Sequence, residues 1–206
     1  MARLVEIHPV DPQPRLVTQV VESLEGGGLL AYPTDSGYAL GCRIGQHDGT
    51  ERIRQIRRLD AKHHFTLVCC DFAQLGQLVR LDNSAFRAIK AATPGPYTFI
   101  LPATSEVPRR LAHPKKKTVG VRIPDSRVVQ ALLRELGEPL LSSTLILPEH
   151  TEPMTQAWEV AEALDRVVDV IVDAGDVVAE PTTVVDWSAG YPEVVRVGAG
   201  DPEPFE

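Results

Sequence analysis

Residues 26–41, Gly-Gly-Gly-Leu-Leu-Ala-Tyr-Pro-Thr-Asp-Ser-Gly-Tyr-Ala-Leu-Gly, constrain the fold more than any other stretch of this chain. Ahead of them, Leu16, Val17, Val20, Val21 and Leu24 recur at helical spacing, which predicts an amphipathic helix over 12–25. Gly26 is expected at its C′ position, where glycine turns left-handed at no steric cost. Residues 29–32 are apolar throughout, as in a strand buried on both faces. Pro33 has no N–H to give to a ladder and is expected to stop that strand. Thr34-Asp35-Ser36-Gly37 then gathers two hydroxyls, a carboxylate and free backbone N–H groups before a second apolar run at 38–40. Such a loop either holds a small polar ligand outside a strand end or is a hairpin corner whose Thr34 and Asp35 satisfy only their own backbone.

Short β-rich runs and helical patterns alternate irregularly along the rest of the chain. Asp48 is placed to cap a helix over 49–59, with Ile53 and Ile56 inward. A buried strand is expected at 65–70, then a short helix capped by Asp71, a helix over 83–89 and a rigid turn at 93–96. Strands follow at 97–101 and at 118–124, the second stopped by Pro124. Between them lie a brief helical turn at 107–111 and an exposed basic loop, Lys115-Lys116-Lys117. Residues 126–136 read as a helix ended by Gly137. Residues 139–148 read as a strand with Ser142 and Thr144 on one face and Ser143 on the other. A helix near 155–164 and strands at 167–172, 182–186 and 194–198 complete the pattern. It predicts a single α/β domain over 1–200, with a twisted sheet of mixed parallel and antiparallel strands flanked by helices, and a loose tail at 201–206.

Charge adds one constraint. The 206 residues carry a net −7, yet residues 51–122 hold 14 Lys and Arg against 5 Asp and Glu, while the remainder holds 7 against 23. A basic middle in an acidic chain points to an anionic partner, nucleotide phosphates or RNA, unless these are simply solvated helix faces. Cys42, Cys69 and Cys70 are odd in number and set in apolar runs, so they read as buried thiols. With no Cys-x-x-Cys pair and six scattered histidines, the sequence holds no zinc signature and no assigned metal ligand. No apolar run approaches the ~18 residues of a membrane span, and the N-terminus lacks the apolar core of a signal peptide, so a cytoplasmic location without membrane contact is expected. P-loop, dinucleotide and Ser-His-Asp patterns are absent, and no Ser or Cys has an evident base beside it. Hydroxyls and arginines at strand ends instead suit a phosphorylated ligand. Asp173 and Asp176 read as turn residues around Gly175, with help to a metal ion as the alternative, His63 and His64 as exposed loop residues, and Trp158 and Trp187 as packing.

Taken together, the loop and later segments carry a resemblance. Residues 32–41 resemble the Pro-Thr-(Asp/Glu)-Thr-x-Tyr-Gly-Leu-Gly signature of the YrdC/YciO family, the threonylcarbamoyl-AMP synthases and their relatives. Residues 93–101 resemble its Trp-Pro-Gly-Pro-Leu-Thr-x-Ile-Leu, residues 118–124 its Thr-x-x-x-Arg-x-Pro, residues 182–186 its Ser-Thr-x-x-Asp and residues 196–198 its Arg-x-Gly. The resemblance implies a YrdC-like fold and an enzyme that condenses L-threonine, bicarbonate and ATP, with Mg²⁺, into threonylcarbamoyl-AMP and pyrophosphate on the way to a modified tRNA adenosine. By position it implies that Thr34, Ser142 and Thr182 contact threonine, and that Arg57, Thr118, Arg122, Thr144 and Arg196 face the nucleotide. No side chain is implied as a covalent catalyst.

The departures resemble the YciO branch. The family's Lys-x-Arg-Pro-x-x-Lys-Pro-Leu becomes residues 57–67, leaving Arg57 or Lys62 in the lysine's role. Its Ser-x-Ser-Ala-Asn becomes Ser142-Ser143-Thr144-Leu145-Ile146, without the Asn, and Ala39 replaces a Gly. A second class of function stays open: a tRNA- or double-stranded-RNA-binding module of the same fold, with weak or no synthase activity and contacts from Lys115, Lys116 and Lys117.

Overall fold

The computed structural model describes residues 1–60 and 63–206. Its strands are β1 (Arg3–Glu6), β2 (Leu30–Thr34), β3 (Gly37–Arg43), β4 (Thr66–Val68), β5 (Tyr97–Pro102), β6 (Thr118–Arg122), β7 (Leu140–Thr144), β8 (Val170–Asp173), β9 (Thr183–Asp186) and β10 (Glu193–Arg196). They form one sheet in the order β1-β8-β2-β3-β7-β4-β6-β5-β9-β10. The β1–β8, β2–β8, β4–β6 and β5–β9 pairs are parallel and the rest antiparallel, the mixed sheet that the sequence pattern predicts. The helices are α1 (Pro14–Glu25), α2 (His47–Arg57), α3 (Phe72–Leu78), α4 (Asn83–Ala92), α5 (Arg127–Leu136) and α6 (Ala157–Leu164).

Alternation along the strands divides the core into two layers. Leu67, Phe99, Val121, Leu141 and Val185 point to the face covered by Ile53 of α2, Leu75 of α3, Ile89 of α4 and Val160 of α6. Leu30, Tyr32, Ala39, Leu140, Val170 and Val172 point the other way, under Val17, Val20, Val21 and Leu24 of α1 and Val128, Val129, Leu132 and Leu133 of α5. The pair α1 and α5 packs mainly on the β1, β8, β2 and β3 side of that face, with Val68 of β4 and Leu140 of β7 at the margin of the same layer. Beyond Val68, the same face of β4, β6, β5 and β9 carries Thr66, Gly120, Arg122, Thr98 and Val184, which line cavities, and this is where the site forms.

Local chemistry explains most boundaries. Asp71 accepts the Gln74 N–H at the start of α3, as expected, and Asp82 does the same for Ala85 at α4. Ser126 caps α5, and Gly137 ends it with φ at +72°. Several expectations need correction. Pro33 does not stop β2, which runs on through Thr34 with Pro33 opposite Tyr38. Tyr38 sends its N–H to the Met154 carbonyl and accepts at its own carbonyl from Leu145, both away from β2. Pro33 thus stands at a non-bonded position, and its nitrogen faces a side where β8 has already left after Ala31, so no ladder bond is lost. The left-handed residue after α1 is Gly27 (φ +89°), while Gly26 stays at −73°. Asp48 lies in the first turn of α2, not at its cap, which is Gln46. Residues 107–111 form turns without a helix. Trp158 is 62% exposed on α6 and is no packing residue, whereas Trp187 is buried as expected. The tail is not loose either. Phe205 is 2% exposed against Tyr97, Phe99 and Trp187, and the Tyr97 hydroxyl donates to the Asp201 carbonyl at 3.2 Å.

Candidate functional site

This half of the sheet face forms the floor of a cavity of about 260 Å³. Register places Thr66 of β4 opposite both Gly120 of β6 and Ser142 of β7, and Thr98 of β5 opposite Val184 of β9. Small and hydroxyl side chains on these interior strands leave room above the sheet where a core position would carry Leu or Val.

Three guanidiniums enter that space from different elements. Arg57, the last residue of α2, donates from Nη1 to Ser143 Oγ at 2.6 Å and from Nε to the Ile146 carbonyl at 3.3 Å. Burial holds its guanidinium below the ordinary value. Arg122, at the end of β6, is 7% exposed and forms an ion pair with Asp35, while its Nε has no hydrogen-bond partner. Arg196, at the end of β10, donates from Nε and Nη2 to the Thr182 carbonyl at 3.1 and 2.8 Å, and from Nη2 to Thr182 Oγ1 at 3.1 Å. Its guanidinium too is held down, by burial first and then by the charge of Arg122.

The hydroxyls are ordered by a network. Thr98 and Thr182 share a hydrogen bond at 2.9 Å. Ser142 donates to the Leu40 carbonyl at 3.1 Å and accepts from the Tyr32 phenol at 2.7 Å, and burial pushes that phenol up to about 12. Among the described residues, Asp35 is the carboxylate ion-paired with one of these three cations, and its other oxygen accepts the Asp125 N–H at 3.0 Å. A half-desolvated pocket with surplus positive charge and an unmatched N–H favours an oxyanion.

Of the residues marked by sequence, Arg57, Arg122, Ser142, Thr144, Thr182 and Arg196 all line this cavity. Thr34 does not. It lines a separate cavity of about 490 Å³ with Pro9, Asp125, Ser126 and Asp176. Its hydroxyl donates to the Gly37 carbonyl at 2.7 Å and accepts the Ser36 N–H at 3.1 Å, so the hairpin-corner reading holds for Thr34. It fails for Asp35, which reaches away to Arg122. Thr118 is also outside, in an adjoining dip of about 210 Å³ that shares Thr66, Thr98, Val184 and His64 with the main cavity.

Lys115, Lys116 and Lys117 are exposed, and Lys116 Nζ lies 3.6 Å from Asp186. Lys62 lies outside the described residues. His63 is not an exposed loop residue: it is half-buried in the cavity wall, held below its usual value by burial and by neighbouring Arg57, while His64 is exposed. Asp173 accepts the Gly175 N–H at 2.9 Å, a turn contact, and Asp176 lies 3.4 Å from Gln156 Nε2. Among the described residues no group of three or more His, Cys, Asp or Glu is placed to hold a metal ion, and no helix is long and apolar enough to cross a membrane.

Sequence reasoning missed His63, Thr66, Thr98 and Ser143, and it left Asp35 open between ligand and hairpin corner. The alternation Thr98-Phe99-Ile100 and Gly120-Val121-Arg122 was a usable signal, because interior strands with one polar face must leave that face open.

Known proteins fit this geometry. The family model for Sua5, YciO and YrdC proteins, described as "Telomere recombination", matches residues 22–198. The "Uncharacterized protein YciO" of Escherichia coli (strain K12) is 48% identical over 205 residues, all of both chains, and the E. coli YciO crystal structure agrees with a TM-score of 0.95. A "Threonylcarbamoyl-AMP synthase" of Vibrio vulnificus is 33% identical over 157 residues, covering 75% of this chain and 83% of that protein. The fold is also that of P. abyssi Sua5 complexed with L-threonine, with a TM-score of 0.85 at 24% identity over 95% of this chain and 57% of that one. The chain therefore belongs to the Sua5/YciO/YrdC family.

Proposed function

We propose that this protein is a nucleotidyltransferase of the threonylcarbamoyl-AMP synthase type, acting on L-threonine, bicarbonate and ATP. The observation that carries this reading is the convergence of Arg57, Arg122 and Arg196 on a hydroxyl-lined cavity, where among the described residues Arg122 is ion-paired, with Asp35. The reaction asks for positioning and charge neutralisation. A carbamate oxygen of N-carboxythreonine attacks the α-phosphorus, and the bond from that phosphorus to the bridging oxygen breaks. Pyrophosphate leaves with the electron pair. The guanidiniums offset the charge spread over the phosphoryl oxygens, and the unpartnered Nε–H of Arg122 is a donor not yet used.

No thiolate is needed, and none is at hand. The Cys42 and Cys69 thiols are buried in the core, and burial pushes Cys42 up to about 11 and raises Cys69 as well. Ser142 and Thr182 would hold the threonine. Mg²⁺ would arrive as the counterion of the triphosphate, since such ions are commonly held by substrate phosphates. Ile146 sits where the family pattern has Asn, and its carbonyl takes Arg57 instead.

Pyrophosphate release with ATP, Mg²⁺, bicarbonate and L-threonine, each omitted in turn, tests the reading. Release that needs threonine and bicarbonate and falls in Arg122→Gln is expected; release indifferent to both substrates would overturn it. The RNA-binding reading expects no such release, but duplex-RNA affinity that drops steeply with salt and with loss of Lys115, Lys116 and Lys117.

A further inference from the structure

Beyond the arginine cavity, and sharing His63 and His64 with it, lies a second depression of about 520 Å³. One wall is Arg54 of α2; the other carries Arg109, Arg110, His113 and Lys115 from the segment between β5 and β6. Among the described residues no carboxylate lines it. Arg54 is held by Glu51 at 2.5 Å and lies 5.0 Å from the Phe65 ring centroid, with its Nε buried and unpartnered. Arg109, Arg110 and Lys115 make no ion pair among the described residues.

The wall is nonetheless built. His113 Nδ1 accepts the Lys115 and Lys116 N–H groups at 3.2 and 3.0 Å, its carbonyl accepts from Lys117, and its ring centroid is 4.8 Å from that of His64. Cations that line one depression repel one another, and a polyanion relieves that repulsion.

We propose that this depression is a second anion site, which receives inorganic pyrophosphate as it leaves the arginine cavity; the assignment rests on the adenylyl transfer proposed above. In that transfer the bond between the α-phosphorus and the carbamate oxygen forms while the bond to the bridging oxygen breaks, so the leaving group gains negative charge next to the shared His63–His64 wall. Arg109 and Arg110 offer planar forks to its oxygens and Lys115 a point charge. The arrangement favours a compact anion over a nucleic-acid backbone. Its cations converge in a dip, and the neighbouring Lys116 is engaged with Asp186 instead of extending the row.

Titration calorimetry of inorganic pyrophosphate into the full chain carrying Arg122→Gln, which weakens the first cavity, isolates the second site. Adding Arg109→Gln and Arg110→Gln, both at exposed positions, is expected to weaken the remaining binding about tenfold or more, with circular dichroism reporting an unchanged fold. Inorganic phosphate should bind more weakly than pyrophosphate. Pyrophosphate affinity indifferent to both arginines overturns the proposal. So does a short RNA duplex whose binding, unlike that of pyrophosphate, depends on them. Substrate-dependent release in the wild-type chain is measured separately. If release fails while arginine-dependent pyrophosphate binding persists, the anion site stands and the transfer falls; the opposite result removes the site and keeps the reaction.

Discussion

The two halves of one sheet face are built from the same strand geometry and do opposite things. Under α1 and α5, inward positions carry Leu30, Tyr32, Val170 and Val172, and the face is closed. Across β4, β6, β5 and β9, equivalent positions carry Thr66, Arg122, Gly120, Thr98 and Val184, and the face is open. What separates them is helical cover. A helix pair needs apolar partners beneath it, and a floor made mostly of threonine, glycine and arginine offers few. The covered half supplies stability and the open half is free to bind.

The sharpest break in that division comes from Leu132→Ala. Leu132 is 1% exposed between α5 and the sheet, and its truncation should cost about 2–5 kcal/mol in urea denaturation. Nucleotide affinity measured below the unfolding transition should stay at the wild-type level. A large loss of affinity in folded protein would show that the halves are not separable.

Arg122→Gln should do the reverse. We expect substrate-dependent pyrophosphate release to fall about 100-fold, the scale of losing one charge-stabilising donor at a reacting centre. The change should fall on turnover, with the global fold retained in its circular dichroism spectrum. Wild-type turnover in this variant would mean that Arg122 only anchors Asp35.

A smaller effect probes the hydroxyl network. Thr98→Val keeps shape and removes the 2.9 Å bond to Thr182, which Arg196 still holds. Threonine affinity should drop about five- to tenfold, the worth of one hydrogen bond, with stability within about 1 kcal/mol of wild type. If stability falls much further while affinity holds, the network belongs to the core.

Much of this division was legible in the sequence. The arginines and hydroxyls at strand ends already pointed to a phosphorylated ligand, and six of the marked residues meet in one cavity. Thr118 does not join them for a reason that spacing contains. It shares a face with Arg122, but four residues of strand are about 13 Å, too far to line one small cavity. Thr34 was hidden differently, because its hydroxyl is consumed by its own corner and only the fold shows which way Asp35 turns. The tail misled by composition. Amid proline and glutamate, the one residue that matters is Phe205, whose ring fills a gap against Tyr97, Phe99 and Trp187.

The smallest effect separates the halves by pH. In the open half, burial holds His63 and His64 below the ordinary histidine value, with Arg57 adding to the effect on His63, His113 on His64, and Asp60 opposing both. The folded state thus prefers the neutral rings, while the unfolded chain takes up protons near pH 6.5. Between the folded values and 6.5 the unfolded chain holds more protons, so stability rises with pH. The contribution is present above about pH 6.5 and is lost as pH falls through the folded values. Burial pushes the carboxyls of Asp169 and Asp186 up, but hydrogen bonds and nearby cations together outweigh it and hold them down, so they add the same trend only below the ordinary carboxylate range. The core packed under α1 and α5 is built from apolar side chains. Urea midpoints at about pH 5.5 and about pH 7.5 should therefore differ in the wild-type chain, and the difference should shrink in a His63→Asn, His64→Asn variant. An equal drop in both proteins would place the pH sensitivity outside the open half and remove this distinction between the two faces.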